Sequence, residues 1–198
     1  MSDSMWKLEV DESNIGWLHF DVPDRSVNTL SQQAMADLDV ALDEVATTSM
    51  KGLIILSDKD SGFIVGADIN EFTQVKTVED AEKFVGTAHA IFRKLEGLKM
   101  PKVAMIHGPC LGGGLELALC CDYLVAEENA NIGFPEVMLG IFPGFGGSVR
   151  SIERLGVINA MTMMLSGRPV KGKRAKKTGL VDIAVPMRQL KRAAIHTI

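Results

Sequence analysis

Residues Cys110 to Asp122 read CLGGGLELALCCD: three consecutive glycines feed an almost wholly apolar segment that carries one acid, Glu116. Leu115, Leu117, Ala118, Leu119, Cys120 and Cys121 leave no wide polar stripe, so a helix over this stretch is buried all round. Such a helix should not carry an unpaired carboxylate, because desolvating a charge is costly unless a partner or a shifted pKa relieves it. The glycines allow a sharp turn and a close approach of backbone to a ligand. They also place free N–H groups at the positive end of the helix, a setting suited to an oxyanion. Glu116 follows Gly113 by one helical turn and is expected to lean back over that face. Three readings fit this stretch alone: a glycine-assisted helix start, a phosphate cradle, or a catalytic site in which donor and titratable acid share one spot.

Outward from this centre, strands and helices alternate. Pro101 to His107 is the expected strand that delivers the glycine run, and Leu124 to Ala126 the strand that follows its helix. Upstream, Trp6 to Val10 and Ile15 to Phe20 read as a hairpin across the polar turn Asp11 to Asn14. Ser31 caps an amphipathic helix marked by Ala34, Leu38, Ala41, Leu42 and Val45. Leu53 to Leu56 is a buried-type strand, and Thr77 with Asp80 opens a helix that runs to Gly97. Downstream, Asn131 to Phe134 is a short strand, and Pro135 and Glu136 start a brief helix. A turn-rich passage, Gly140 to Gly147, precedes two helices broken at Gly156, then a strand over Leu180 to Val185 and a last helix from Met187. The alternation predicts an α/β domain, and pattern alone favours a doubly wound parallel sheet.

With 198 residues and 46% hydrophobic content, the chain can bury one substantial core. A net charge of -4 gives no overall reason to expect nucleic acid or an anionic membrane. No apolar run is long enough for a membrane span and the N-terminus lacks a secretory layout, so a cytoplasmic protein is expected. Three cysteines without C-x-x-C or paired-His spacing read as core residues, and no metal site is expected. Arg168 to Arg192 carries nine Lys or Arg against one Asp, read as a solvated helix face with a polyanion patch as the alternative.

Three segments in order, FIVGADINEF at 63–72, HGPCLGGGLELALCCD at 107–122 and GFPEVMLGIFPGFGGSVR at 133–150, resemble the enoyl-CoA hydratase/isomerase family, also called crotonases. The resemblance covers essentially the whole chain, 1–198, and replaces the doubly wound expectation with a spiral of ββα repeats. It implies an enzyme that adds water to 2-enoyl-CoA thioesters in fatty acid β-oxidation, with enoyl-CoA isomerase activity on the same site. Coenzyme A is then the substrate's carrier, and no bound cofactor is implied. Two backbone N–H groups, those of Ala67 and Gly113, are implied as the oxyanion hole, and Glu116 and Glu136 as the catalytic acids. Glu136 maps to the proton donor and Glu116 to the water activator, although coupled carboxyls titrate as a pair. On sequence alone, an acid at a helix start such as Glu136 is also ordinary dipole complementation. Gly144 maps to a loop glycine that positions the water, and Val27, Asn28, Gly66, Asp68, Ile69 and Gly112 to substrate contacts. His107 reads as structural, and His19, His89 and His196 have no constellation around them.

The wording is nearest the family's multifunctional branch, in which a dehydrogenase part follows and the chain assembles with a thiolase beta subunit. The expected partners are thus the acyl-CoA or enoyl-CoA substrate and either copies of the chain or that subunit, with no nucleic acid. A C-terminally truncated fragment is expected, because stand-alone relatives continue through further helices. Two competing readings are an acyl-CoA-binding core without turnover and an RNA-binding relative using Lys173, Arg174, Lys176 and Lys177.

Overall fold

The computed structural model describes residues 4–71 and 76–198, so that Phe72, the last residue of the FIVGADINEF motif, lies outside the described residues. The chain runs β1 (Trp6–Val10), β2 (Ile15–Phe20), α1 (Gln32–Thr47), β3 (Gly52–Ser57), α2 (Val78–Glu96), β4 (Lys102–Ile106), β5 (Pro109–Leu111) and α3 (Gly113–Ala118). It continues through β6 (Tyr123–Glu127), β7 (Asn131–Gly133), a 3-10 turn (Glu136–Leu139), α4 (Gly147–Ser166), β8 (Val170–Lys171), α5 (Gly172–Thr178), β9 (Ile183–Val185) and α6 (Met187–Thr197).

Two sheets result. The larger has the order β1-β2-β3-β4-β6-β9, antiparallel at the first pair and parallel thereafter, and the smaller has the order β5-β7-β8. A doubly wound sheet reverses its strand order at a switch point. Here every crossover after the hairpin adds its strand on the same side, which corrects the expectation drawn from alternation alone. Each turn of the chain lays one strand in the large sheet, one short extended segment beside the small sheet, and then a helix. The turns β4-β5-α3 and β6-β7-α4 show this fully. Isolated parallel bridges Ile64↔Cys110 and Leu30↔Ala67 carry the same arrangement back into the two earlier turns.

The large sheet is covered on both faces, which explains why β3 reads as an unbroken run, GLIILS, with every residue buried. The strand period of two sorts its side chains. Leu18, Phe20, Leu53, Ile55, Ala104, Ile106, Leu124 and Ala126 belong to the main core under α1, α2 and α3. Trp17, Ile54, Val103 and Val125 point the other way, onto Leu190 and Ala194 of α6. Trp6 anchors the hairpin to that main core, stacking on Phe20 at 4.1 Å and donating its indole N–H to the Ala34 carbonyl at 2.9 Å.

Local signals read from the sequence recur in the structure. Ser31 caps α1 by accepting the Ala34 N–H, Thr77 and Asp80 form a reciprocal capping box on α2, and Gly156 breaks the helical path of α4 with φ 73 and ψ 162. Other boundaries differ. The strand expected from Leu180 begins only at Ile183, because Asp182 turns aside to accept the Leu124 N–H at 2.7 Å and to pair with Arg154. The basic stretch forms α5, with Gly172 and Ala175 buried and Lys173, Arg174, Lys176 and Lys177 exposed. Asn28, whose backbone is expected near the substrate, has its side chain inside the fold. Its amide oxygen accepts the Val22 N–H at 2.8 Å, and its nitrogen donates to the Phe20 carbonyl at 2.8 Å and Ser57 Oγ at 3.0 Å. No helix among the described residues is long and apolar enough to cross a membrane.

Candidate active site

The three motifs converge on one cavity of about 520 Å³, bounded by the 65–69 loop, the start of α3, α2 and the 135–145 segment. Its geometry begins with glycines. Gly66 and Gly112 have φ of 117 and 52, values that a side chain rarely tolerates. These turns bring the two backbone segments close: a Cβ placed on Gly113 would lie 3.3 Å from the Ala67 nitrogen. The Ala67 strand is held in place by the Leu30 N–H, which donates to the Gly66 carbonyl at 2.8 Å, and by the Asp68 N–H, which donates to Leu30 O at 3.2 Å.

Two carboxyl groups stand over this spot. Glu116 is 2% exposed, and its Oε1 accepts the N–H groups of Phe145 and Gly147, each at 2.8 Å. Glu136 is 8% exposed, and its Oε2 is buried with no hydrogen-bond partner. Its Oε1 lies over Gly112, 3.2 Å from where a Cβ would be. Burial pushes the Glu116 carboxyl up to about 7; the Gly147 amide pulls down against this, the Glu136 charge adds to the rise, and the Phe145 amide opposes it. Burial likewise pushes Glu136 up to about 7.

Glu116 was expected to lean over the N-terminus of its own helix. What holds it is a pair of amides of the third motif, roughly thirty residues away in sequence. Gly147 leaves no room for a side chain there, since its Cβ would stand 2.6 Å from Glu116 Cγ and 2.8 Å from Phe134 Cζ. The loop that carries these amides is tied to α2 at two carbonyls. His89 Nε2 bonds the Gly144 carbonyl at 2.7 Å, and Arg150 Nη1 donates to the Phe145 carbonyl at 2.9 Å. Arg150 is in turn gripped by Glu96, with Nε and Nη2 at 2.5 and 2.9 Å from its two oxygens. Sequence reading assigned no role in the site to His89, Glu96, Phe145, Gly147 or Arg150. The repeated glycines in PGFGGSVR were the one visible signal of close packing in that loop.

Of the remaining expected site residues, Gly66, Ile69, Gly112 and Gly144 line the same cavity. Val27, Asp68 and Ile69 line a neighbouring cavity of about 250 Å³ that shares Val65, Ala67 and Ile69 with the first. His107 bonds the Lys59 carbonyl at 2.7 Å, away from both acids. The cysteines are buried and unpaired, and burial pushes the Cys121 thiol up to about 12. Among the described residues no group of His, Cys, Asp or Glu is arranged to hold a metal ion. Chemically, the arrangement sets the backbone nitrogen of Ala67 close to Gly113, where an N–H could meet an oxygen that gains negative charge. Beside them, in an apolar cavity, are two carboxyls that exchange protons near neutral pH.

The family described as Enoyl-CoA hydratase/isomerase matches residues 11–198. The fatty acid oxidation complex subunit alpha of Vibrio campbellii is 42% identical over 185 residues, covering 91% of this chain and 26% of that protein. The subunit of the same name from Shewanella amazonensis is 41% identical over 197 residues, covering 98% of this chain and 28% of that protein. The chain therefore spans about a quarter of the length of these curated relatives. Among solved structures, an enoyl-CoA hydratase from Bacillus anthracis superposes with a TM-score of 0.89 at 29% identity, covering 97% of this chain and 74% of that one.

Proposed function

The chain belongs to the enoyl-CoA hydratase/isomerase family, a crotonase-like spiral of ββα turns, and from that premise we propose that it adds water to 2-enoyl-CoA thioesters in fatty acid β-oxidation. The observation that carries this reading is the pair of buried glutamates, Glu116 and Glu136, both raised to about 7 and lining one cavity with Ala67 and Gly113.

In this reading the thioester carbonyl accepts the Ala67 and Gly113 N–H groups, which stabilise the enolate oxygen more than the ground-state carbonyl. Glu116, as carboxylate, takes a proton from water as its oxygen bonds to the β carbon, and Glu136, as the neutral acid, delivers a proton to the α carbon. The partners of the two groups favour this division. Two amides donate to Glu116 Oε1 and support its charged form, whereas Glu136 Oε2 has no donor to support a charge. Gly144, on the rim, positions the water. The same acids support isomerisation, in which a proton leaves one carbon of the acyl chain and another returns two carbons away across the same enolate.

Coenzyme A serves as the substrate's carrier and no bound cofactor takes part. The cavity beside Val27 and Asp68 is where the arm of the carrier would run, since it opens onto Ala67 and Ile69 of the reaction cavity. The relatives are named as alpha subunits of a complex, which supports assembly with a thiolase beta subunit or with further copies of the chain. The reading is tested by incubating 2-butenoyl-CoA with the chain in heavy water and following the product by NMR. The expected product is 3-hydroxybutanoyl-CoA with one deuterium on the α carbon; recovery of unchanged substrate would reject the reading.

A further inference from the structure

A second cavity, of about 350 Å³, lies between α1 and α2 and touches the reaction cavity through two side chains, Phe84 and Phe145, which line both. The two rings lean on each other with centroids 5.6 Å apart, and Phe92 meets Phe145 edge-on at 6.0 Å, fixing it from behind. The Phe145 ring also lies against Gly113, where a Cβ would stand 3.4 Å from Cδ2. The partition therefore begins beside the N–H that the reading above assigns to the thioester oxygen. Beyond it the second cavity has an apolar inner end at Leu30, Met35 and Ala88, all buried, and polar lining from Gln32, Asp80, Lys83 and Thr87.

We infer that Phe84 sets the acyl-chain length this site accepts, and that the cavity behind it is the chamber a longer chain enters when that ring is removed or turned aside. The inference rests on the acyl-CoA reading of the first cavity and adds the element that limits its substrate. Of the two rings, Phe145 cannot serve as the movable part. Its own N–H holds Glu116, and its ring is wedged between Gly113 and Phe92. Phe84 is half-buried, in the N-terminal half of α2. The chamber can take a hydrocarbon tail at its inner end, where Leu30, Met35 and Ala88 are apolar and buried, while Gln32, Asp80, Lys83 and Thr87 make the rest of its lining polar.

The test is calorimetric binding of butanoyl-CoA and decanoyl-CoA to the parent chain, Phe84→Ala, Phe84→Leu, and Phe84→Ala combined with Thr87→Trp, which fills the chamber from its polar lining. Phe84→Ala should strengthen decanoyl-CoA relative to butanoyl-CoA by about tenfold, the gain for burying roughly two further methylenes. Phe84→Leu, a milder change to the packing, should shift the ratio in the same direction by less. The added Thr87→Trp should return the ratio to the parental value. An unchanged ratio in both single variants, or a gain that survives Thr87→Trp, would overturn the inference while leaving the acyl-CoA reading in place. Failure of the parent to bind either thioester would reject that reading, and the inference with it.

Discussion

Replacing Gly147 with alanine isolates the loop that holds Glu116. The backbone of Gly147 has an ordinary φ at the start of α4, so the substitution adds volume without adding backbone strain. The new methyl would lie 2.6 Å from Glu116 Cγ and 2.9 Å from its Oε1, and ordinary carbon contact needs about 3.5 Å or more. Glu116 must therefore retreat by roughly 1 Å, and Phe134 Cζ, 2.8 Å from the same methyl, is crowded as well. A displacement of that size in a reacting group typically costs about a hundredfold in rate. Loss of an amide bond to the carboxylate removes about 1.5 to 3 kcal/mol of support for the charged form. Both effects point the same way. Hydration of a short 2-enoyl-CoA, followed by loss of the conjugated thioester absorbance, should fall by about two orders of magnitude. The sign of the pH effect also follows. Gly147 and Phe145 hold the Glu116 pKa down, so weakening them raises it, and the acidic limb of the rate profile moves to higher pH. Parental turnover with an unmoved acidic limb would refute the assignment of this loop as the cradle of the base.

The raised carboxyls also make stability fall with pH. Both bind more protons in the folded than in the unfolded chain between the ordinary glutamate value and about 7, so unfolding free energy decreases as pH rises through that window. Above it, Glu116→Gln with Glu136→Gln should be more stable than the parent by on the order of 2 kcal/mol in urea unfolding, and the difference should vanish in acid. Arg150→Met releases the Phe145 carbonyl and strands Glu96; kcat should fall about tenfold with KM little changed, as expected for a group that positions the base. Asn28→Ala removes three buried hydrogen bonds, none of them to either carboxyl, so it should lower stability by about 2 to 4 kcal/mol in the same unfolding assay and leave the acidic limb of the rate profile in place.

What the sequence made legible was local. The caps at Ser31 and Thr77, the broken helix at Gly156 and the buried helix carrying Glu116 are each written within a few consecutive residues, where turn chemistry and helical spacing act. Sheet order is a long-range property. Alternating strands and helices are compatible with both a reversing and a one-directional sheet, so pattern alone favoured the wrong one, and only the three ordered motifs separated them. Short β5 and β8 were missed because segments of two or three residues carry no period to read. The same limit applied to the site. Glu116 stood out as one acid in an apolar run, but its donors belong to a loop brought near by the fold. His89 looked isolated because its partner, the Gly144 carbonyl, is a backbone atom 55 positions away. The Asn28 side chain serves the fold, through partners that come from Phe20, Val22 and Ser57 and that no local pattern shows.

The central claim is that Glu116 and Glu136 act as one acid–base pair on an enoyl thioester, and parallel measurements of turnover and binding test it most directly. The parent, Glu116→Gln, Glu136→Gln and the double variant are each given 2-butenoyl-CoA, with absorbance reporting hydration and calorimetry reporting affinity for butanoyl-CoA. The account predicts hydration by the parent and a loss of about two to four orders of magnitude in each single variant. The double variant should be little worse than the singles, and all four should have similar affinity. Near-parental turnover in either single variant would contradict it.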